Sequence, residues 1–196
     1  MEVQPAHNFG EVIVLADSEA TLIALVRQRH QIAFKRLYDK YLPMVYGLCL
    51  RMTGSVSMAE EATQEVFIMV WRKIDTFAGD STFKTWLHSL TTNTTLTYLR
   101  KQKSWLKRMI GSDDYEEMAE GLEASPPTEI DDLQYWLNRL PERARLVFVL
   151  HAIEGYRQEN VAKAMGISVG TVKAQFHRAR NLLQTWMGEA DEVKPQ

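Results

Sequence analysis

The stretch that decides the fold is QENVAKAMGISVGTVKAQFHRAR, residues 158–180. It has the grammar of two short helices joined by a tight turn. Val161, Ala162 and Met165 fall on one side of the first, at the spacing of a helix face. Ala162 is small where a second helix must approach closely. Gly166 stands where the turn needs a left-handed backbone, which glycine adopts without a Cβ penalty. Ile167 plugs the corner, and Ser168 is suited to cap the second helix. Val172 and Phe176, four apart, are expected to pack that helix back onto the first. The other face then carries Thr171, Lys173, Ala174, Gln175, His177, Arg178 and Arg180. Over residues 155–188 five bases (Arg157, Lys163, Lys173, Arg178, Arg180) stand against Glu159 alone, a net of +4. A basic, hydrogen-bonding second helix is what reading the DNA major groove requires. The same grammar fits a structural hairpin with a solvated basic face.

Upstream, Ile130, Leu133, Trp136, Leu137 and Leu140 keep helical spacing, and Pro141 suits a first helical turn. Before them the composition changes abruptly. Residues 100–108 hold five bases and no acid, whereas 109–132 hold nine acids and no base. The acidic stretch also carries Gly111, Gly121, Pro126 and Pro127 and can bury little, so it reads as a flexible linker.

The amino-terminal half is helical throughout. Leu22, Ile23, Leu25 and Val26 make one apolar face, and Phe34, Leu37, Tyr38 and Tyr41 a second. Leu42 to Thr53 reads as a third helix, stopped by Gly54. Ser57-Met58-Ala59-Glu60 reads as a capping box opening a long helix through Trp71 and Ile74. After Gly79, Ser81 or Thr82 can cap a helix through Phe83, Trp86, Leu87 and Leu90, and a further helix is expected from about Thr94 to Lys107. Glu60, Glu61, Gln64 and Glu65 make an acidic stripe, either a protein-docking surface or a solvated face. Phe77, Phe83, Trp86, Tyr98 and Trp105 lie among Lys84, Arg100, Lys101 and Lys103, a pattern able to stack bases and hold phosphates. Phe83, Trp86 and Leu87 read better as core. The polar run Thr91, Thr92, Asn93, Thr94, Thr95 and Thr97 suits a base edge or a helix bonding its own backbone.

The predicted fold is therefore all-α, two small helical domains and a flexible acidic joint. The expected boundaries are an amino-terminal extension over 1–20, domains over 21–108 and 130–188, a linker over 109–129 and a tail over 189–196. The 196 residues carry 23 Lys and Arg against 25 Asp and Glu, a net charge of −2. That excludes a protein that coats nucleic acid by bulk charge, while leaving local patches open. One cysteine, Cys49, allows neither an internal disulfide nor a zinc cluster. The apolar run Leu146 to Leu150 is too short to cross a membrane. Val12 to Ala16, without a basic leader, is too short for a signal-peptide core. These features fit a soluble protein of a reducing cytoplasm, with no membrane insertion. No His/Asp/Cys constellation, Gly-rich phosphate loop or His-Glu-x-x-His stands in the chain, so no enzyme activity, cofactor or metal is expected.

Taken together, the motifs resemble the extracytoplasmic-function (ECF) group of the bacterial sigma-70 family. Residues Ala59 to Phe67, Val70-Trp71-Arg72, Phe77 to Leu87, Asn93 and Leu99-Arg100 are similar to its region 2. Leu140 to Arg145, Glu154-Gly155, Gly170 to Lys173 and His177 to Arg180 are similar to its region 4. The resemblance implies a specificity subunit of RNA polymerase. Glu61, Gln64, Glu65, Phe67 and Trp71 would bind the clamp helices of core polymerase. Lys84, Trp86, Thr92, Asn93 and Arg100 would serve the −10 element, Asn93 and its Thr neighbours reading a base flipped from the opened strand. Region 4 would dock on the polymerase flap and set Thr171, Lys173, Ala174, His177 and Arg178 at the −35 element. An anti-sigma factor would restrain the free chain. The departures are Glu61 for a frequent Asp, Thr92 and Thr97 in an atypical −10 segment, Ala174 for a frequent Ser and Gln175 for a frequent Arg. The other reading is an autonomous helix-turn-helix regulator that binds duplex promoter DNA without polymerase.

Overall fold

In the computed structural model the described residues are 18–110 and 132–193. The expected extension, linker and tail fall outside them up to residue 17, over 111–129 and from residue 194. Every regular element among the described residues is helical. The first half holds α1 (Glu19–Arg27), α2 (Gln31–Thr53), α3 (Val56–Lys73) and α4 (Phe83–Ile110). The second holds α5 (Asp132–Arg139), α6 (Glu142–Phe148), α7 (Gln158–Met165) and α8 (Val169–Val193). A 3-10 turn, Ile74–Thr76, follows α3, and a π turn, Val149–Ile153, continues α6.

Helices α2, α3 and α4 pack as a bundle with α1 laid against α2. Val26, Leu37, Val45, Leu48, Met52, Val66, Val70 and Leu87 fill its core. Phe83 joins this core with its ring 5.3 Å from Tyr41, 5.5 Å from Phe77 and 5.5 Å from Trp86. Phe83 and Leu87 are core, as expected, and Trp86 covers them from the half-buried rim.

Three local expectations change. The cap of α3 is Ser55, not Ser57: Gly54 turns left-handed (φ 69°), Ser55 is left extended, and its hydroxyl accepts from the Met58 N–H at 3.4 Å. The separate helix at Leu42 is instead a continuation of α2 through Pro43. Pro43 forfeits one backbone bond, while Leu37, Tyr41, Val45 and Leu48 on one buried face hold both sides in line. Likewise α4 runs unbroken through the threonines. Thr82 caps it at the Thr85 N–H, 3.1 Å away. The Thr91 and Thr97 hydroxyls donate to the Leu87 and Asn93 carbonyls, each at 2.8 Å. These two follow the backbone-bonding reading of the run.

In the second half α6 and α8 pack around Leu137, Leu140, Val147, Leu150, Val161, Val172 and Ala179. The expected turn is present, with Gly166 at φ 68° and the Ser168 hydroxyl accepting from the Thr171 N–H at 3.0 Å. Phe176 is half-buried against the core, and its ring also meets Phe148 at 6.0 Å and His151 at 4.9 Å.

The two halves meet through one buried cation. Arg145 of α6 is 8% exposed. Its guanidinium donates to the Thr53 carbonyl at 2.8 Å, the Met52 carbonyl at 3.3 Å and the Leu140 carbonyl at 3.4 Å. Gln134 of α5 adds a bond to the Leu50 carbonyl at 3.3 Å. The Leu50 carbonyl also accepts from the Gly54 N–H at 2.9 Å, whereas Met52 and Thr53 are at the helix end, where carbonyls are left without intrahelical partners, and the negative end of the α2 dipole balances the charge. Burial pushes the guanidinium pKa down. Gly54 is required twice here: its φ is left-handed, and a Cβ would sit 2.6 Å from Arg145 Nη1.

Arg145→Met is therefore expected to cost about 3 kcal/mol, because buried carbonyls lose charged donors. Gly54→Ala is expected to cost about 1–2 kcal/mol from φ strain alone. Urea unfolding followed by circular dichroism checks both. Losses below about 0.5 kcal/mol, the range of an ordinary surface substitution, would contradict this account of the seam.

Candidate nucleic-acid interface

Helix α8 turns its buried side, Val172 and Ala179, onto the second-half core. That fixes the opposite face. Lys173, Ala174, His177 and Arg178 are all exposed there, at the i, i+1, i+4, i+5 positions that share one side of a helix. His177 is steadied by Asn181 at 3.2 Å. Thr171 is half-buried at the helix start, its hydroxyl 2.9 Å from that of Ser168. Four of the five expected −35 residues thus form one open basic face, and the fifth serves the cap.

The expected −10 residues divide differently. Lys84, Asn93 and Arg100 are exposed, Trp86 is half-buried and Thr92 is only 2% exposed. Thr92 is covered by the second half, with the Tyr156 hydroxyl donating to Thr92 Oγ1 at 3.3 Å. Arg100 reaches across as well and donates to the Ala164 carbonyl near the end of α7 at 2.9 Å. Lys84, Thr85, His88 and Ser89 face Glu154, Gly155, Tyr156, Arg157 and Asn160 across an open cleft of about 560 Å³.

Glu154 is the centre of that seam. Arg51 Nη2 of α2 lies 2.9 Å from one carboxylate oxygen and His88 Nε2 of α4 lies 2.6 Å from the other. Burial pushes its pKa up, but the bonds from His88 and Arg51 outweigh burial and hold it below the ordinary carboxyl value. Lys103 of α4 pairs with Glu142 of α6 at 2.8 Å. Arg51, His88, Gln134, Arg145, Glu154 and Tyr156 were not singled out as site residues by sequence reasoning. Their partners across the seam lie 64 to 103 positions away along the chain, a separation that local periodicity does not encode.

On α3, Glu61, Gln64 and Glu65 are exposed together, beside Ile68 at 44%. Phe67 does not share that surface. It is 5% exposed and packs on Tyr38 at 4.4 Å and Phe34 at 6.5 Å, supporting the stripe from beneath. Trp71 is half-buried, against Phe34 at 4.9 Å and under Arg29 at 5.6 Å. From α4 the Tyr98 hydroxyl donates to Glu61 of the stripe at 2.7 Å.

Among the described residues no group of three or more His, Cys, Asp or Glu side chains could hold a metal ion. No helix there is long and apolar enough to cross a membrane. Burial, and then the Glu61 carboxylate, push the Tyr98 phenol up to about 12. Glu61→Gln removes the charge and is expected to bring that pKa back toward the ordinary 10.0. Site-resolved NMR titration of the tyrosine ring reads the shift, and an unchanged value would contradict the Tyr98–Glu61 bond.

Comparison with known proteins adds an independent finding. Residues 37–110 match the family described as Sigma-70 region 2, and residues 130–183 match Sigma-70, region 4. The chain is 33% identical over 173 residues to the ECF RNA polymerase sigma factor SigW of Bacillus subtilis, covering 83% of this chain and 92% of that one. It is 30% identical over 177 residues to the ECF RNA polymerase sigma-E factor of Escherichia coli K12, covering 85% and 92%. Among solved structures, the sigma factor RpoE of Bartonella quintana, in complex with the anti-sigma factor NepR, has the same fold at a TM-score of 0.52 and 24% identity, over 83% of this chain and 98% of that one. With both helical halves matched in chain order and relatives covered almost from end to end, this chain belongs to the extracytoplasmic-function group of the sigma-70 family.

Proposed function

We propose that this chain binds core RNA polymerase and directs it to a promoter by reading two separate DNA elements. The observation that carries the reading is the open face of Lys173, Ala174, His177 and Arg178 on the second helix of a helix-turn-helix, in a chain of this family. That face reads the −35 element in the major groove. The −10 element belongs to α4: Asn93 meets a base taken out of the stack, with Thr92 and Trp86 framing it and Lys84 and Arg100 holding phosphates. Unstacking costs a few kcal/mol, so a fixed polar pocket is needed to compensate. The acidic face of Glu61, Gln64 and Glu65, with Ile68 beside it and Phe67 and Trp71 behind it, docks on the clamp helices. The second half rests on the flap.

The functional domains under this reading are 21–108 and 130–188, joined by 109–129. The chain contributes specificity and no catalytic group, and it works where polymerase works, in the cytoplasm. Its relative from Bartonella quintana was solved with an anti-sigma factor. We extend that partnership to this chain, with stress release as its purpose.

The test is run-off transcription with purified core polymerase, this chain and a pooled promoter library. Specific transcripts that need both components are expected. If Lys173 or Arg178 only holds phosphate, its change to Ala weakens all promoters alike and flattens the salt dependence. If either reads a base, one −35 position becomes tolerant, at about 1–3 kcal/mol. Asn93→Ala is expected to impair strand opening more than polymerase binding. Equal loss of both would overturn the pocket, and duplex binding by the chain alone, without transcripts, would favour an autonomous regulator.

A further inference from the structure

We infer that His151 is a positioning residue of the −35 reader: tied at both ring nitrogens to the turn ahead of α7 and to the first residue of α7, it fixes the roll at which α8 presents Lys173, His177 and Arg178. This deepens, and rests on, the assignment of that face to the −35 element made above. Helix α8 lies on the second-half core along one stripe, Val172, Phe176 and Ala179, at positions i, i+4 and i+7. Val172 and Ala179 are fully buried and anchor its ends. Both side chains are short, so they give little leverage against rolling about the helix axis. Phe176 is the long lever at the middle. It stands between Gln175 and His177, so what holds its ring holds the reading face. A roll of about 10° carries a side-chain tip, ~6 Å from the axis, through about 1 Å, enough to spoil a hydrogen bond to a base edge.

Two rings meet Phe176. Phe148 stacks on it at 6.0 Å with the planes 23° apart, and His151 meets it at 4.9 Å with the planes 76° apart. A stack of two phenyl rings carries no directional bond, so those rings can slide. The imidazole is held. The Tyr156 carbonyl only accepts, so its 2.7 Å bond puts the proton on His151 Nδ1. Nε2 is left as an acceptor and faces the Gln158 side-chain amide nitrogen at 3.4 Å. The backbone brings both partners to the ring. Val149–Ile153 is a π turn, closed by the Glu154 N–H on the Val149 carbonyl and followed by the Tyr156 N–H on the Leu150 carbonyl, each at 2.9 Å. Single π turns are rare and frequent at functional sites. This one curls the chain so that Tyr156 and Gln158 both return to His151, and Gln158 opens α7. One imidazole thus joins the start of the first helix of the pair to the middle of the second. An apolar ring supplies the edge without the bonds, and an amide supplies a bond without the ring.

The test uses variants of the full chain with core polymerase. His151→Phe keeps a ring and removes both bonds. His151→Asn keeps a donor near the place of Nδ1 and removes the ring edge. Leu137→Val opens a small cavity in the same core, away from the ring, and is the structural control, expected to lower the urea midpoint. Transcribed promoters are selected from a pool randomised in the −35 element beside a fixed −10 element. Both His151 variants are expected to lose about tenfold in discrimination at −35 positions, with polymerase affinity and the slope of DNA binding against salt unchanged. Leu137→Val is expected to discriminate as the parent does. Sharp discrimination in His151→Phe would overturn the inference, and so would an equal loss in Leu137→Val, which makes His151 ordinary core. Absence of any promoter-specific transcript from the parent chain would instead overturn the sigma reading. His151 is then judged by residual dipolar couplings of the α7 and α8 amides, which report helix orientation. A turned α8 in His151→Phe would support its positioning role without that reading, and an unchanged α8 would overturn it.

Discussion

A helix that stops inside a protein leaves its last carbonyls without intrahelical partners, and both halves of this chain contain such an end. Helix α2 stops at Thr53 and α7 at Met165. Each is completed by the other half. Arg145 reaches from the second half to the Met52 and Thr53 carbonyls, and Arg100 reaches from the first to Ala164. A guanidinium suits this work because its rigid fork satisfies several acceptors at once and stays charged when buried. Gly54 is the matching concession, since only a residue without a Cβ leaves room for Arg145. The relative placement of the halves, and therefore what each surface can reach, follows from these end-on bonds.

That placement sorts the functional faces by accessibility. The α8 face is open, the α3 stripe is open, and on α4 Thr92 is covered by the second half while Lys84, Asn93 and Arg100 stay exposed. The near-neutral total charge conceals this division of labour, with bases gathered on α8 and acids on α3. Opposite signs on different faces suit different partners: phosphate for the first, basic protein surface for the second. Because the faces lie on separate helical units, the chain can span two DNA elements only when something larger sets their separation.

The legible parts of the sequence were those whose physics is local. The turn at Gly166 and the cap at Ser168 follow from backbone preferences over a few residues, and both stand where expected. The all-helical fold follows from apolar spacing. The start of α3 was misplaced by two residues because two serines compete there, and the backbone conformation of Gly54 decides in favour of Ser55. The separate helix expected from Leu42 is instead part of α2, because a continuous buried face carries the helix through Pro43. The threonines of α4 could not be apportioned from sequence: Thr91 and Thr97 bond the backbone, while Thr92 points its hydroxyl at the other half. The seam itself was out of reach. Side chain to carbonyl bonds across more than 60 positions carry no periodic signal, and Phe67 and Trp86 differ from their exposed neighbours only through the tertiary packing.

The central claim is that two helical units read two promoter elements together, held apart by polymerase. The most direct measurement is transcription, with core polymerase and this chain, from promoters whose −35 to −10 spacing changes one base pair at a time. A single optimum is expected, with transcription falling on both sides of it and lost when either element is removed. Output that is indifferent to spacing, or that survives removal of the −10 element, would contradict the claim and leave the helix-turn-helix as the only DNA-reading part.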